Sequence, residues 1–336
     1  MSKSDISFRR TLVQAAVSLL AMCAATAVLA VPASAVTGTT TVAGTSGPAG
    51  PAGAQAPTGS APHPGAPGAV PLPARAGVAG PVSTQAADAT LPVNHTCSST
   101  LRIRAQRMTA QDLKNTCDSL AGQDTYFHSV VKDSGQPVRD DRNTSLEVVV
   151  FDSRAEYVRL AGSLYGVSTD NGGVYLEGNP AAAGNQARFV AYRDENAQTF
   201  AVVNLNHEYT HYLDGRYDMY GDWNANVSTP TLWWIEGLAE YVSYGYRGVF
   251  NSWAAGEASR QTYALSTLFD TTQQNDQNRI YAWGYLAVYY LVENHPADVA
   301  KILGLYRAGS WQTARSYVKQ TIGTRYDADF RRWLLT

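Results

Sequence analysis

Charge is scarce in this 336-residue chain: only 16% of its residues are Asp, Glu, Lys or Arg, and 28 acidic side chains nearly balance 26 basic ones. That balance offers no electrostatic footprint for nucleic acid or an anionic membrane. Cysteine is scarcer still, with three in the whole chain. This excludes a disulfide-dense miniature fold, and leaves unpaired thiols or cysteine metal ligands as the alternative to a single disulfide. Aromatic residues are missing altogether from Val36 to Pro92, where Gly, Pro, Ala, Thr and Ser dominate. Such a segment cannot bury enough apolar surface to fold, so residues 36–92 are expected to form a flexible tether or pro-segment. Gly47 to Gly53 has the Gly-X-Y spacing of a triple helix but stops after two repeats, and reads as low complexity. Beyond residue 35 no apolar run is long enough to span a bilayer.

What is present begins with an export signal. Lys3, Arg9 and Arg10 precede an apolar and small stretch from Leu12 to Val31, and Ala33-Ser34-Ala35 closes it with the small-x-small pattern of signal peptidase. Cleavage after Ala35 is expected, giving a secreted, extracellular chain without a membrane span, and Arg9-Arg10 leaves both the general and the twin-arginine export route open. Cys23 goes with the signal. Cys97 and Cys117 then remain in an oxidising compartment and are expected to be joined.

The patterning from Cys97 onward indicates an α+β fold. Leu146–Phe151 and Ala187–Tyr192 read as strands between turn-rich segments. After Phe200 the spacing is helical to the end, over 280–294, 297–308, 310–321 and 327–335, with Pro296 and Gly309 as stops.

The chemistry is concentrated in His207-Glu208-Tyr209-Thr210-His211. On a helix, positions i and i+4 share a face, so both imidazoles reach one ion while Glu208 stands beside it as general base. Gly215 is placed to end that helix. A catalytic zinc site needs a third protein ligand and an open position for water. Asp214 and Tyr217 stand where one class of sites would need Gly and His, which excludes that class. A second helix is expected to start with Thr229 as cap and Pro230 at its first position, and to carry Glu236 and Glu240 on one face. Two carboxylates on an otherwise apolar helix need something positive opposite them. Glu236 is assigned as the third zinc ligand and Glu240 as the partner of an imidazole N–H.

The segments HEYTHYLDGRYDMYGDW and WWIEGLAEY, with Asp170 to Pro180, Gly184 to Phe189 and Arg279 to Val288, resemble the bacterial collagenases, zinc peptidases of the thermolysin-like gluzincin type. The resemblance implies a thermolysin-like peptidase subdomain over 93–272 and a small all-helical helper subdomain over 273–336. It implies the same ligands, His207, His211 and Glu236, with Glu208 as base. It further implies a double-glycine loop at Gly172 and Gly173 beside the substrate, a structural calcium at Glu177, and a substrate-aligning edge strand at Ala187 to Tyr192. An ordinary buried strand is an equal reading of that last segment. Tyr281 and Tyr285 are candidates for an oxyanion donor. The large lobes that the family carries before and after its peptidase lobe do not fit between Cys97 and Thr336. Gelatin and Gly-Pro-containing peptides are therefore the expected substrates of a monomeric endopeptidase, with native collagen cut slowly. A zinc aminopeptidase and an inactive peptide-binding module are the alternatives.

Overall fold

Alternation and apolar runs in the first half of the folded body build one mixed sheet, and the longer amphipathic segments cover both of its faces. The computed structural model describes residues 89–336. The expected signal and most of the expected tether therefore lie outside the described residues, although Leu91, near the end of that tether, is buried.

The strands are β1 (Val93–Ser98), β2 (Leu101–Ala105), β3 (Leu146–Phe151), β4 (Val174–Leu176) and β5 (Ala187–Tyr192), in the spatial order β1-β2-β3-β5-β4. The central strands β2, β3 and β5 are parallel, whereas β1 and β4 run antiparallel at the two edges. β3 is buried along its whole length, as a strand covered on both faces must be. Its one charge, Glu147, is held between Arg102 of β2 (2.7 Å) and Arg188 of β5 (2.9 Å). This cross-strand pairing compensates the burial of the carboxylate.

On one face Val149, Phe151 and Val190 pack with Tyr157 and Ala161 of α2 (Arg154–Tyr165). On the other, Ile103, Val148 and Phe189 meet the main core, which includes Leu120 and Phe127 of α1 (Ala110–Val131) and Leu213 of α3 (Leu205–Tyr217). Cys97 of β1 and Cys117 of α1 form the expected disulfide. Its separation of 20 residues corresponds, on the loop-entropy model, to about 3 kcal/mol of stabilisation.

The second half is helical: α4 (Trp223–Asn226), α5 (Leu232–Arg247), α6 (Ser252–Arg260), α7 (Leu265–Leu268), a π-helical turn (Asn278–Ala282), α8 (Trp283–Asn294), α9 (Pro296–Arg307), α10 (Trp311–Ser316), a second π-helical turn (Tyr317–Ile322) and α11 (Asp327–Trp333). α5 and α8 cross where Gly237 meets Gly284, so closely that a Cβ on Gly237 would lie 2.4 Å from the Gly284 carbonyl oxygen. The aromatic and aliphatic residues of α8 share one core with those of α5. Among the described residues no helix is long and apolar enough to cross a membrane.

Candidate metal centre

α3 is unusual in burying polar side chains on several sides, and each has a specific partner. Gln123 of α1 donates through Nε2 to the Asn206 carbonyl (2.6 Å) and Thr210 Oγ1 (2.9 Å), and accepts from Asn206 Nδ2 (2.6 Å). Trp234 of α5 donates its indole N–H to Asp214 Oδ1 (3.2 Å). These bonds fix the rotation of α3 against α1 and α5, and with it the direction of His207, Glu208 and His211.

The three expected ligands converge. His207 Nε2 lies 3.1 Å from His211 Nε2 and 3.2 Å from Glu236 Oε2, and His211 Nε2 lies 3.4 Å from the same oxygen. A four-coordinate divalent cation with bonds of about 2.0–2.1 Å holds its ligand atoms roughly 3.3 Å apart, so the donor set fits such an ion. Glu240 Oε1 is 2.9 Å from His207 Nδ1, out of line for a fully aligned hydrogen bond. Asn251, which caps α6 through Ala254 N, donates to the other oxygen of Glu240 at 3.4 Å.

The electrostatics follow from this convergence. Burial alone would lower His207, yet the neighbouring carboxylates of Glu236 and Glu240 raise it to about 10. Burial likewise opposes charge on Glu236, but His211 and His207 bring its carboxyl down to about 2. Positive charge is thus strongly favoured at this point, and a metal ion supplies it with both imidazoles neutral. Burial pushes the Glu208 carboxyl up, and the two histidines offset part of that shift. The backbone N–H of Tyr175 in β4 also faces Glu208 and lowers it slightly. A three-residue strand with no periodicity of its own gives no sequence signal for this anchor.

Other expectations are corrected. β5 is not an edge strand: it pairs with β3 on one side and β4 on the other, and β4 is the edge beside Glu208. Gly215 does not end α3, which continues to Tyr217; it leaves room for Glu177, whose Oε1 would lie 2.6 Å from a Cβ there. α5 starts at Leu232 after Thr231, not at Pro230 after Thr229, and the Thr231 hydroxyl bonds the Asn226 carbonyl (2.6 Å) instead of capping the helix.

Tyr281 is buried with its ring 6.1 Å from that of His207. Tyr285 is turned into an aromatic cluster with Tyr241, Tyr244 and Tyr289. Gly172 packs beneath Asn204 and Val203, and Gly173, at φ 143°, is pressed against Phe189 and Ala191 of β5, a backbone state that disfavours any other residue. Glu177 is partly buried, and burial, with Asp141 and Asp222 nearby, raises its carboxyl to about 8. Asp141 is itself buried, with Oδ1 accepting from Arg216 (3.0 Å) and Oδ2 lacking any hydrogen-bond partner.

An HExxH helix, a carboxylate from a following helix within 3.4 Å of both histidines and an edge strand beside Glu208 make the architecture that of a metallopeptidase family. The match to known proteins is specific: residues 79–333 fit the collagenase model of peptidase family M9, and the chain belongs to that family. It is 45% identical over 247 residues to a microbial collagenase of Vibrio vulnificus and 44% identical over 249 residues to one of Vibrio parahaemolyticus, covering 73% of this chain and 30% of each relative. A collagenase ColA of Bacillus cereus is 25% identical over 222 residues, 62% of this chain and 22% of that protein. The chain thus spans less than a third of the length of these curated relatives.

Proposed function

We propose that this chain is a secreted zinc endopeptidase that cuts collagen-type polypeptide in its unwound form. The observation that carries this reading is the buried His207, His211 and Glu236 triangle with Glu208 held beside it by the edge strand. Zinc, when bound, supplies Lewis acidity to a water molecule and to the scissile carbonyl. Glu208 removes the proton of the attacking water and delivers it to the leaving amine nitrogen. The backbone N–H of Tyr175 faces the carboxylate through both transfers. Glu240 orients the His207 ring, and Asn251 steadies Glu240. The outer side of β4, which pairs with no other strand among the described residues, accepts one extended chain by main-chain hydrogen bonds. Tyr281, rather than Tyr285, is the tyrosine placed to act near the oxyanion. The peptidase chemistry belongs to 93–272, with 273–336 as its helical support.

A three-residue edge accommodates a single strand, whereas a triple helix is too thick and stiff to add to it. Heat-denatured collagen is therefore cut at least tenfold faster than native fibrils at equal chain concentration. Equal initial rates on the two substrates would refute the single-strand reading, and no cleavage of gelatin by the metal-loaded protein would refute the peptidase reading itself.

Glu177 is proposed as a calcium ligand, supported by its position among Asp141 and Asp222 and by the unpartnered Asp141 Oδ2. Millimolar calcium should raise Tm by roughly 5 °C, the size expected for an ion well above its Kd. Glu177→Gln should remove most of that rise. A Tm that does not respond, or responds equally in the variant, would discard the assignment.

A further inference from the structure

Gly-Pro occurs in this chain at Gly47-Pro48, Gly50-Pro51 and Gly80-Pro81 and nowhere else, and all three pairs fall in the stretch without aromatic residues. The chain thus carries, ahead of its own folded body, the kind of sequence that its site is proposed to cut. Two Gly-X-Y repeats are too few to wind a triple helix, so the obstacle that native collagen presents does not arise here. The fold brings the junction with this stretch near the catalytic edge. Leu91 is buried in the smaller core, which also contains Val174 and is flanked by Leu176, the two ends of β4. β1 begins at Val93, in register with Ala105 of β2, which pairs with Val150 of β3, itself paired with Ala191 of β5. Val174 pairs with Val190, the neighbour of Ala191, and the N–H of the next residue, Tyr175, faces Glu208. The starts of β1 and β4 therefore lie at the same end of the sheet, four strand spacings or roughly 19 Å apart. Eleven residues separate Gly80 from Leu91, an extended reach of roughly 36 Å. That span is enough to bring Gly80-Pro81 to the β4 edge.

We propose that the protein cuts its own tether: the outer side of β4 takes the segment around a Gly-Pro pair, from its own chain or from a second copy, and the folded body is released from what precedes it. This rests on the peptidase reading above and adds to it a substrate built into the chain. The step is a hydrolysis. The water oxygen bonds to the peptide carbonyl carbon, the C–N bond breaks, and the water proton passes through Glu208 to the nitrogen that becomes the new N-terminus of the body. When the segment belongs to the same chain the encounter is intramolecular, at an effective concentration of about 1 mM for a short flexible linker. The tether is then cut ahead of added polypeptide present at lower concentration.

The test uses one form of the protein as substrate for another. Glu208→Gln protein carrying its tether is incubated with a catalytic amount of zinc-loaded parent, and the products are followed by intact mass and N-terminal sequencing. New N-termini are expected between residues 47 and 82, with residues 89–336 left whole, and none when the parent is omitted or a chelator is added. Introducing Gly47→Glu, Gly50→Glu and Gly80→Glu into the substrate protein should slow tether release by about tenfold or more. Those positions lie outside the described fold, so the folded body of the substrate is unchanged. Gelatin is digested in parallel so that the two readings fail separately. Gelatin cut while the tether stays whole overturns the proposal and leaves the peptidase reading standing; neither substrate cut overturns both. Release at an unchanged rate from the substituted protein, cuts confined to other positions, or the same cuts without the parent also overturn self-processing.

Discussion

Replacing Glu208 by Gln removes nearly all peptide hydrolysis, by roughly 10²–10⁴-fold, while bound metal stays at about one ion per chain. The ligand atoms of His207, His211 and Glu236 are untouched, and Gln retains an oxygen that can accept from Tyr175 N–H. Only the capacity to take and return a proton is lost. Because burial disfavours the charged form of Glu208, the neutral Gln should leave the fold at least as stable as the parent. Initial rates on gelatin and metal analysis of the same preparation check both halves. Retained turnover above about a tenth of the parent would remove Glu208 from the mechanism.

Glu236→Ala strips the metal, whereas Glu240→Ala weakens its affinity by roughly 10–100-fold, the usual cost of losing a partner of a liganding histidine. The first substitution leaves two buried imidazole nitrogens 3.1 Å apart with no carboxylate to complete the donor set. The second leaves the triangle complete and frees only the His207 ring to rotate. Competition with a graded series of chelators gives the ranking directly. If Glu240→Ala proves the more damaging, the roles of the two carboxylates must be exchanged.

The convergence of His207, His211 and Glu236 was readable in the sequence because its logic is local. His207 and His211, like Glu236 and Glu240, stand one turn apart on a helix, and that spacing fixes their common direction whatever surrounds them. The disulfide was readable because, with Cys23 assigned to the expected signal, the cysteine count left one pairing. Edge and interior strands differ only in what lies beside them, and Ala187 to Tyr192 contains nothing that distinguishes the two. β4 was invisible for a different reason: Val174, Tyr175 and Leu176 are too few to show a period, and the flanking glycines read as loop. Gly215 misled because a glycine in a helix usually marks an end, whereas here its missing Cβ accommodates a carboxylate from another element.

The contact between Gly237 and Gly284 gives the helical half of the molecule a metrological role. Glu236 is the neighbour of Gly237, so the depth of its backbone is set by helix resting on helix, and only its own side-chain torsions stand between that contact and the carboxylate. Surface residues of α8 can vary freely without disturbing that gauge. Any side chain introduced at either glycine would act as a shim, lifting one corner of the donor triangle by a fraction of the 3.2 Å that separates it from His207.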